Sequence, residues 1–136
     1  MESVEGKLIY VVDDQLGVRE IAAAVLERKG GFLVEQFNDG LAALERVQKD
    51  PTKPDLLVTD RNMPGMNGDA LIVACRKLWI PREVPFILMT GHEIGYSPND
   101  TKLRAEWADM GILDEHILIK PFNGPALIER VVALLK

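Results

Sequence analysis

Leu56-Leu57-Val58-Thr59-Asp60 is a short apolar run that closes on a carboxylate. No charge interrupts it before Asp60, so it reads as a strand covered on both faces rather than one with a wet side. A turn-rich stretch follows, Asn62-Met63-Pro64-Gly65-Met66-Asn67-Gly68. Beyond it Leu71, Ile72, Cys75, Leu78 and Trp79 recur on one side of a helix. A buried strand, a turn and an amphipathic helix make one βα unit, and the same unit recurs on either side.

Upstream, Leu8-Ile9-Tyr10-Val11-Val12 ends at Asp13-Asp14 and leads into a helix with Val18, Ile21, Ala22, Val25 and Leu26 on one face. Gly30-Gly31 stops that helix, as a residue free to take positive φ can. Phe32 to Phe37 reads as a second strand, and its Glu35 and Gln36 place it at a sheet edge. Asn38-Asp39 supplies a cap for a helix whose inner face is Leu41, Leu44 and Val47, closed by Pro51 and Pro54. Downstream, Phe86 to Met89 ends at Thr90-Gly91. A long polar stretch, His92 to Asp100, precedes a weaker helix with Leu103, Trp107 and Met110. Ile117-Leu118-Ile119 then ends at Lys120-Pro121, and a last helix starts near Pro125 with Leu127, Ile128, Val131, Val132 and Leu135 inward.

Five strand–helix units in series, four of them with almost wholly apolar strands, predict an α/β fold: one doubly wound, five-stranded parallel sheet in a single domain. The composition agrees. The chain has 136 residues, 47% hydrophobic and 27% charged, the size and make-up of one folded domain. A net charge of −5 excludes the basic footprint of a nucleic-acid binder. The single cysteine, Cys75, excludes an internal disulfide and a Cys-rich zinc site, and its place on an apolar helix face reads as a small buried hydrophobe. Apolar runs of at most six residues are far short of a membrane span, and the opening MESVEGK lacks a basic region followed by an apolar core. A cytoplasmic location is the expectation.

Ligands of such sheets bind outside the carboxyl ends of the strands. The residues that end the strands are Asp13 and Asp14, Asp60, Thr90 and Lys120. Chain order thus brings three carboxylates, a hydroxyl and an ammonium to one edge. Three clustered carboxylates repel one another unless a cation lies between them. All-oxygen ligation in an open site suits Mg²⁺. The anion that Mg²⁺, Lys and Thr together would hold is a phosphoryl group, and the Asp60 carboxylate can attack phosphorus to give an aspartyl phosphate.

The Asp13-Asp14 pair, the run Asp60 to Gly68, Thr90-Gly91 and Lys120-Pro121-Phe122 resemble the receiver domain of two-component response regulators. The resemblance runs from about Lys7 to Leu135 and implies a flavodoxin-like (βα)5 fold, with residues 1–136 as one receiver domain. It implies that Asp60 takes phosphate from a sensor histidine kinase or phosphotransfer protein. It makes Asp14 the principal acidic Mg²⁺ ligand, Asp13 a direct or water-mediated one, and Asn62 the donor of a backbone carbonyl to the metal. Lys120 would contact the phosphoryl group, and Thr90 would move onto it after transfer. Output would be a conformational switch, with slow self-dephosphorylation, read by a downstream effector that the sequence does not name. Membrane and nucleic acid are not expected partners of this domain.

Two departures stand out. Receivers usually carry Tyr or Phe three residues before the lysine, where this chain has Ile117, preceded by His116. The span from Thr90 to Lys120 is also roughly eight residues longer than usual, so the intervening segment must be remodelled.

Blander readings compete at single positions. Thr90 alone would be an ordinary strand residue. His92 and His116 read as surface or packing groups. Trp79 and Trp107 read as core-edge fillers, with a partner contact the alternative for Trp107 beside Glu106 and Asp109. Two other functions share the pattern in part. One is a phosphatase of the haloacid-dehalogenase type, which wants an acid–base aspartate where Asn62 stands. The other is a receiver-like binding module that works without phosphorylation. The chain ends just after the fifth helix, which fits either a stand-alone protein or one domain of a larger one.

Overall fold

The computed structural model describes residues 4–91 and 101–136. Their strands are β1 (Leu8–Val12), β2 (Leu33–Phe37), β3 (Leu56–Asp60), β4 (Phe86–Thr90) and β5 (Ile117–Ile119). The helices are α1 (Leu16–Gly30), α2 (Gly40–Lys49), α3 (Gly68–Trp79), α4 (Thr101–Asp109) and α5 (Gly124–Leu135). All the strands run parallel in the order β2-β1-β3-β4-β5. The chain order reverses between β1 and β3, the place where a doubly wound sheet opens a crevice. Asp13-Asp14 and Asp60 leave the sheet there.

Two apolar layers sandwich the sheet. Ile9, Val11, Val58, Ile87, Met89 and Leu118 point to one face, with Ala22 and Leu26 of α1 and Leu127 and Val131 of α5. Tyr10, Val12, Leu57, Leu88 and Ile117 point to the other, with residues of α2, α3 and α4. The alternation follows from the strand period of two. β2 is the sheet edge, as its polar Glu35 and Gln36 predict.

Local chemistry sets the helix ends. Gly31 closes α1 in the left-handed region, φ +70°, with its N–H donating to the Glu27 carbonyl. Asp39 Oδ1 accepts from the Ala42 N–H at 2.7 Å, and Asn123 Oδ1 accepts from the Ala126 N–H at 2.9 Å, which starts α2 and α5.

The helix faces differ from expectation in places. Ile21 is 68% exposed, so the buried stripe of α1 is narrower and rests on Ala22, Ala23 and Leu26. In α2, Leu41 is exposed and the small residues Gly40 and Ala43 take the inner positions. Leu78 of α3 and Met110 are exposed as well. Small residues let a helix approach the sheet closely, and a neighbouring large apolar residue is then left outside.

A short 3₁₀ turn, Asp114–His116, leads into β5. His116 is a packing group, as expected. Its ring stacks on Phe86 with centroids 4.1 Å apart, and its Nδ1 accepts from the Leu113 N–H at 2.9 Å. Arg104 of α4 pairs with Asp114. Arg130 of α5 donates to the carbonyls of Glu115 and Ile117. The turn is thus pinned from both α4 and α5. The polar stretch His92 to Asp100 lies outside the described residues.

Candidate phosphoacceptor and metal site

Each βα unit delivers its last strand residue to one edge of the sheet. Asp13, Asp14 and Asp60 each place a carboxylate oxygen within 4.8 Å of the others. Asp13 is fully buried and Asp60 nearly so, while Asp14 is exposed. Lys120, arriving from β5, donates from Nζ to Asp60 Oδ1 at 2.8 Å and to Asp13 Oδ2 at 3.3 Å. The other oxygen of Asp13 accepts from the Gln15 N–H at 3.0 Å, which fixes the carboxylate.

The electrostatics follow from this crowding. Burial pushes the Asp60 carboxyl above its ordinary value, the Lys120 contact pulls it partly back, and the Asp13 and Asp14 charges raise it again. Burial by itself would lower the Lys120 ammonium, but its contacts with Asp60 and Asp13 outweigh that and leave it raised. Asp60 is thus a carboxylate short of positive charge, next to a lysine that stays protonated at neutral pH. The donor set is all oxygen, open on the Asp14 side, and over-supplied with negative charge. Those properties fit a hard divalent cation that keeps several waters.

Thr90 ends β4, next to β3 in the sheet. It is 1% exposed, and its hydroxyl has no hydrogen-bond partner among the described residues. By strand alternation it continues the face of Phe86 and Leu88, the face that holds Ile117 and Trp107. Ile117 is buried and pairs with Leu88, so it lies deeper in the sheet than Thr90 and away from the carboxylates. The Asn62 side chain accepts at Oδ1 from Arg61 Nη1 at 3.0 Å.

Gly68 opens α3 against the end of β3. A Cβ at that position would lie 2.2 Å from the Asp60 carbonyl oxygen, so only glycine permits the approach. The Gly68 N–H donates to the Arg61 carbonyl at 2.8 Å and closes the loop.

A sequence model of the response regulator receiver domain matches residues 9–132. This chain belongs to the response regulator receiver family. Among its relatives, the phosphate regulon transcriptional regulatory protein PhoB of Pseudomonas aeruginosa is 30% identical over 131 residues, 96% of this chain and 52% of that protein. The DNA-binding response regulator MtrA of Mycobacterium tuberculosis is 35% identical over 128 residues, 94% of this chain and 50% of that protein. The chain spans about half the length of these curated relatives. Among solved structures, the chemotaxis protein CheY4 of Vibrio cholerae superposes with a TM-score of 0.77 at 26% identity, covering 95% of this chain and 98% of that one. A response regulator of Chloroflexus aurantiacus gives 0.78 at 27% identity, covering 96% and 98%. The receiver is a signalling domain of two-component systems, with the (βα)5 fold read from the strand pattern.

Two residues of the receiver's loop region escaped the sequence reading. Arg61 and Asp69 flank the turn and are buried, where a charged pair beside a turn reads as solvated. Trp107 is fully buried, not a partner contact, and its indole N–H reaches Asp69. Cys75 is buried as expected, and burial pushes its thiol up to about 12.

Proposed function

We propose that Asp60 is the phosphoacceptor and that residues 1–136 act as one receiver domain switched by its aspartyl phosphate. The observation that supports this most is the convergence of Asp13, Asp14 and Asp60 within 4.8 Å with Lys120 bridging two of them. An Asp60 carboxylate oxygen attacks phosphorus of a phosphohistidine. The new P–O bond forms as the P–N bond breaks, and the imidazole leaves on the donor. Lys120, freed from its carboxylates as charge moves onto the phosphoryl oxygens, stabilises them. The Thr90 hydroxyl, buried without a partner among the described residues, has its donor available for the same oxygens. Asp13, Asp14, Asp60 and the Asn62 backbone carbonyl would hold Mg²⁺. Bound there, Mg²⁺ supplies the positive charge that the three carboxylates lack and a Lewis acid for the phosphoryl oxygens.

The donor is a sensor histidine kinase or phosphotransfer protein, and the receiver works in the cytoplasm. Among the described residues, no helix is long and apolar enough to cross a membrane. The net charge of −5 argues against nucleic-acid contact by this domain. A haloacid-dehalogenase reading lacks its second acid, since the residue two beyond Asp60 is Asn62, occupied with Arg61.

The test is incubation with acetyl phosphate, with and without Mg²⁺, followed on a phosphate-affinity gel. One shifted band that needs Mg²⁺ and collapses with chelator is the expected result. Turnover of a chromogenic phosphate ester with no shifted band would favour the phosphatase.

A further inference from the structure

The residue after Asp60 is tied to α4 through a buried chain of polar contacts. Arg61 is 7% exposed, Asp69 is 8% exposed and Trp107 is fully buried. Arg61 Nη1 donates to Asn62 Oδ1 at 3.0 Å, and Arg61 Nη2 donates to Asp69 Oδ2 at 3.2 Å. The same Asp69 oxygen accepts from Trp107 Nε1 at 3.2 Å. Asp69 Oδ1 accepts from the Ala70 N–H at 2.9 Å, which holds the carboxylate in the first turn of α3. The Arg61 backbone is anchored too: its N–H donates to the Met89 carbonyl at 2.8 Å, and its carbonyl accepts from Gly68.

A buried ion pair between single oxygens and nitrogens is a poor stabiliser compared with apolar residues of similar size. Geometry is what this one supplies. It joins the end of β3, the start of α3 and the last turn of α4, and one carboxylate oxygen, Asp69 Oδ2, accepts from both Arg61 and Trp107. A shift of the Asp60–Gly68 loop would be passed through Arg61 to Asp69, whose other side-chain hydrogen bond among the described residues is to the α4 tryptophan. Trp107 also shares its sheet face with Thr90 and Ile117. The position that departs from the usual aromatic therefore lies in the same apolar layer as an aromatic group with a polar handle.

We propose that Asp69 is a positioning residue, which through Arg61 holds the loop after Asp60 in the arrangement phosphorylation needs, and through Trp107 couples that arrangement to α4. The proposal rests on Asp60 as phosphoacceptor. It predicts reciprocity: loosening the Asp69 junction slows labelling of Asp60 and disconnects α4 from the state of the site.

The chain has two tryptophans, and Trp79 lies at the opposite end of the sheet with Nε1 on the Lys53 carbonyl, so Trp79→Phe leaves Trp107 as the reporter. In that background, labelling by acetyl phosphate and Trp107 emission on adding beryllofluoride with Mg²⁺ are measured with and without Asp69→Asn. The expected result for Asp69→Asn is labelling slower by about tenfold or more, with the emission response lost at saturating beryllofluoride. A wild-type rate or a wild-type emission response in folded Asp69→Asn overturns the proposal. If Asp69→Asn loses its cooperative melt, Trp107→Phe decides, because it keeps an aromatic ring in the buried site and removes the indole N–H with its five-membered ring. Amide exchange of residues 101–109 should then stop responding to beryllofluoride, and an unchanged response overturns the proposal. Failure of the parent protein to label would instead refute Asp60 as phosphoacceptor.

Discussion

Asp60 carries a cost in folding that the proposed phosphoacceptor role explains. A carboxyl held above its ordinary value binds protons more tightly folded than unfolded, so stability falls as pH rises from the ordinary carboxylate range through the raised value. Above that window the deficit is complete. In metal-free buffer, Asp60→Asn should therefore melt higher than the parent at pH 7, and the gap should close as pH drops into the ordinary carboxylate range. A lower melting temperature at pH 7 would mean that the Lys120 contact dominates. For Lys120→Ala, which removes the cation contacting Asp60 at 2.8 Å, labelling by acetyl phosphate should slow about 10²–10³-fold. A time course on a phosphate-affinity gel reads it directly. These strand-end residues were legible because an apolar run aims its last residue at a known edge. Arg61 and Asp69 were not, because only the tertiary fold buries a charge that sits beside a Gly-Pro turn.

The elements divide in the same way. β2 declared itself an edge through Glu35 and Gln36, and Asp39 and Gly31 announced helix boundaries by their chemistry. Ile21 and Leu41 misled because helical spacing gives a face without giving its width. Alanines of both helices and Gly40 of α2, weak hydrophobic signals, share the buried positions with Leu26 and Val47. The join between β3 and α3 is tighter still. Gly68→Ala would put a methyl into the Asp60 carbonyl, a contact that only backbone movement can relieve. It should destabilise the domain by about 1–3 kcal/mol, seen as a lower urea midpoint with unchanged slope. At β5, Ile117 is β-branched, buried and paired with Leu88, so its χ1 is restricted. The Thr90 hydroxyl, without a partner among the described residues, is expected to gain one without a matching rotamer change at Ile117. The response to beryllofluoride is expected in α4 and the 3₁₀ turn, residues 101–116. Exchange changes confined to the loops after Asp14 and Asp60 would contradict that. Residues 92–100, which the sequence reading grouped with this segment, lie outside the described structure.

At the scale of the molecule, a sheet that reverses between β1 and β3 concentrates negative charge in the crevice where the chain order turns. The fold was readable from the order of strand and helix periods alone, and the site from the residues ending the strands. The coupling between site and surface was not, because it depends on which side chains meet across layers. Ligand linkage follows from the acidic crevice. Mg²⁺ at a hundred times its dissociation constant should stabilise the folded state by about 2.7 kcal/mol, and Asp14→Asn should abolish the gain in a thermal melt. The central claim is that Asp60 takes the phosphoryl group in this metal-dependent site. Peptide mass mapping of the protein after acetyl phosphate and Mg²⁺ tests it most directly. The account predicts one hydroxylamine-labile phosphoryl group on Asp60, lost in Asp60→Asn and in the Asp13→Asn, Asp14→Asn double variant. A label on another residue, or one that persists in Asp60→Asn with the same lability, would contradict it.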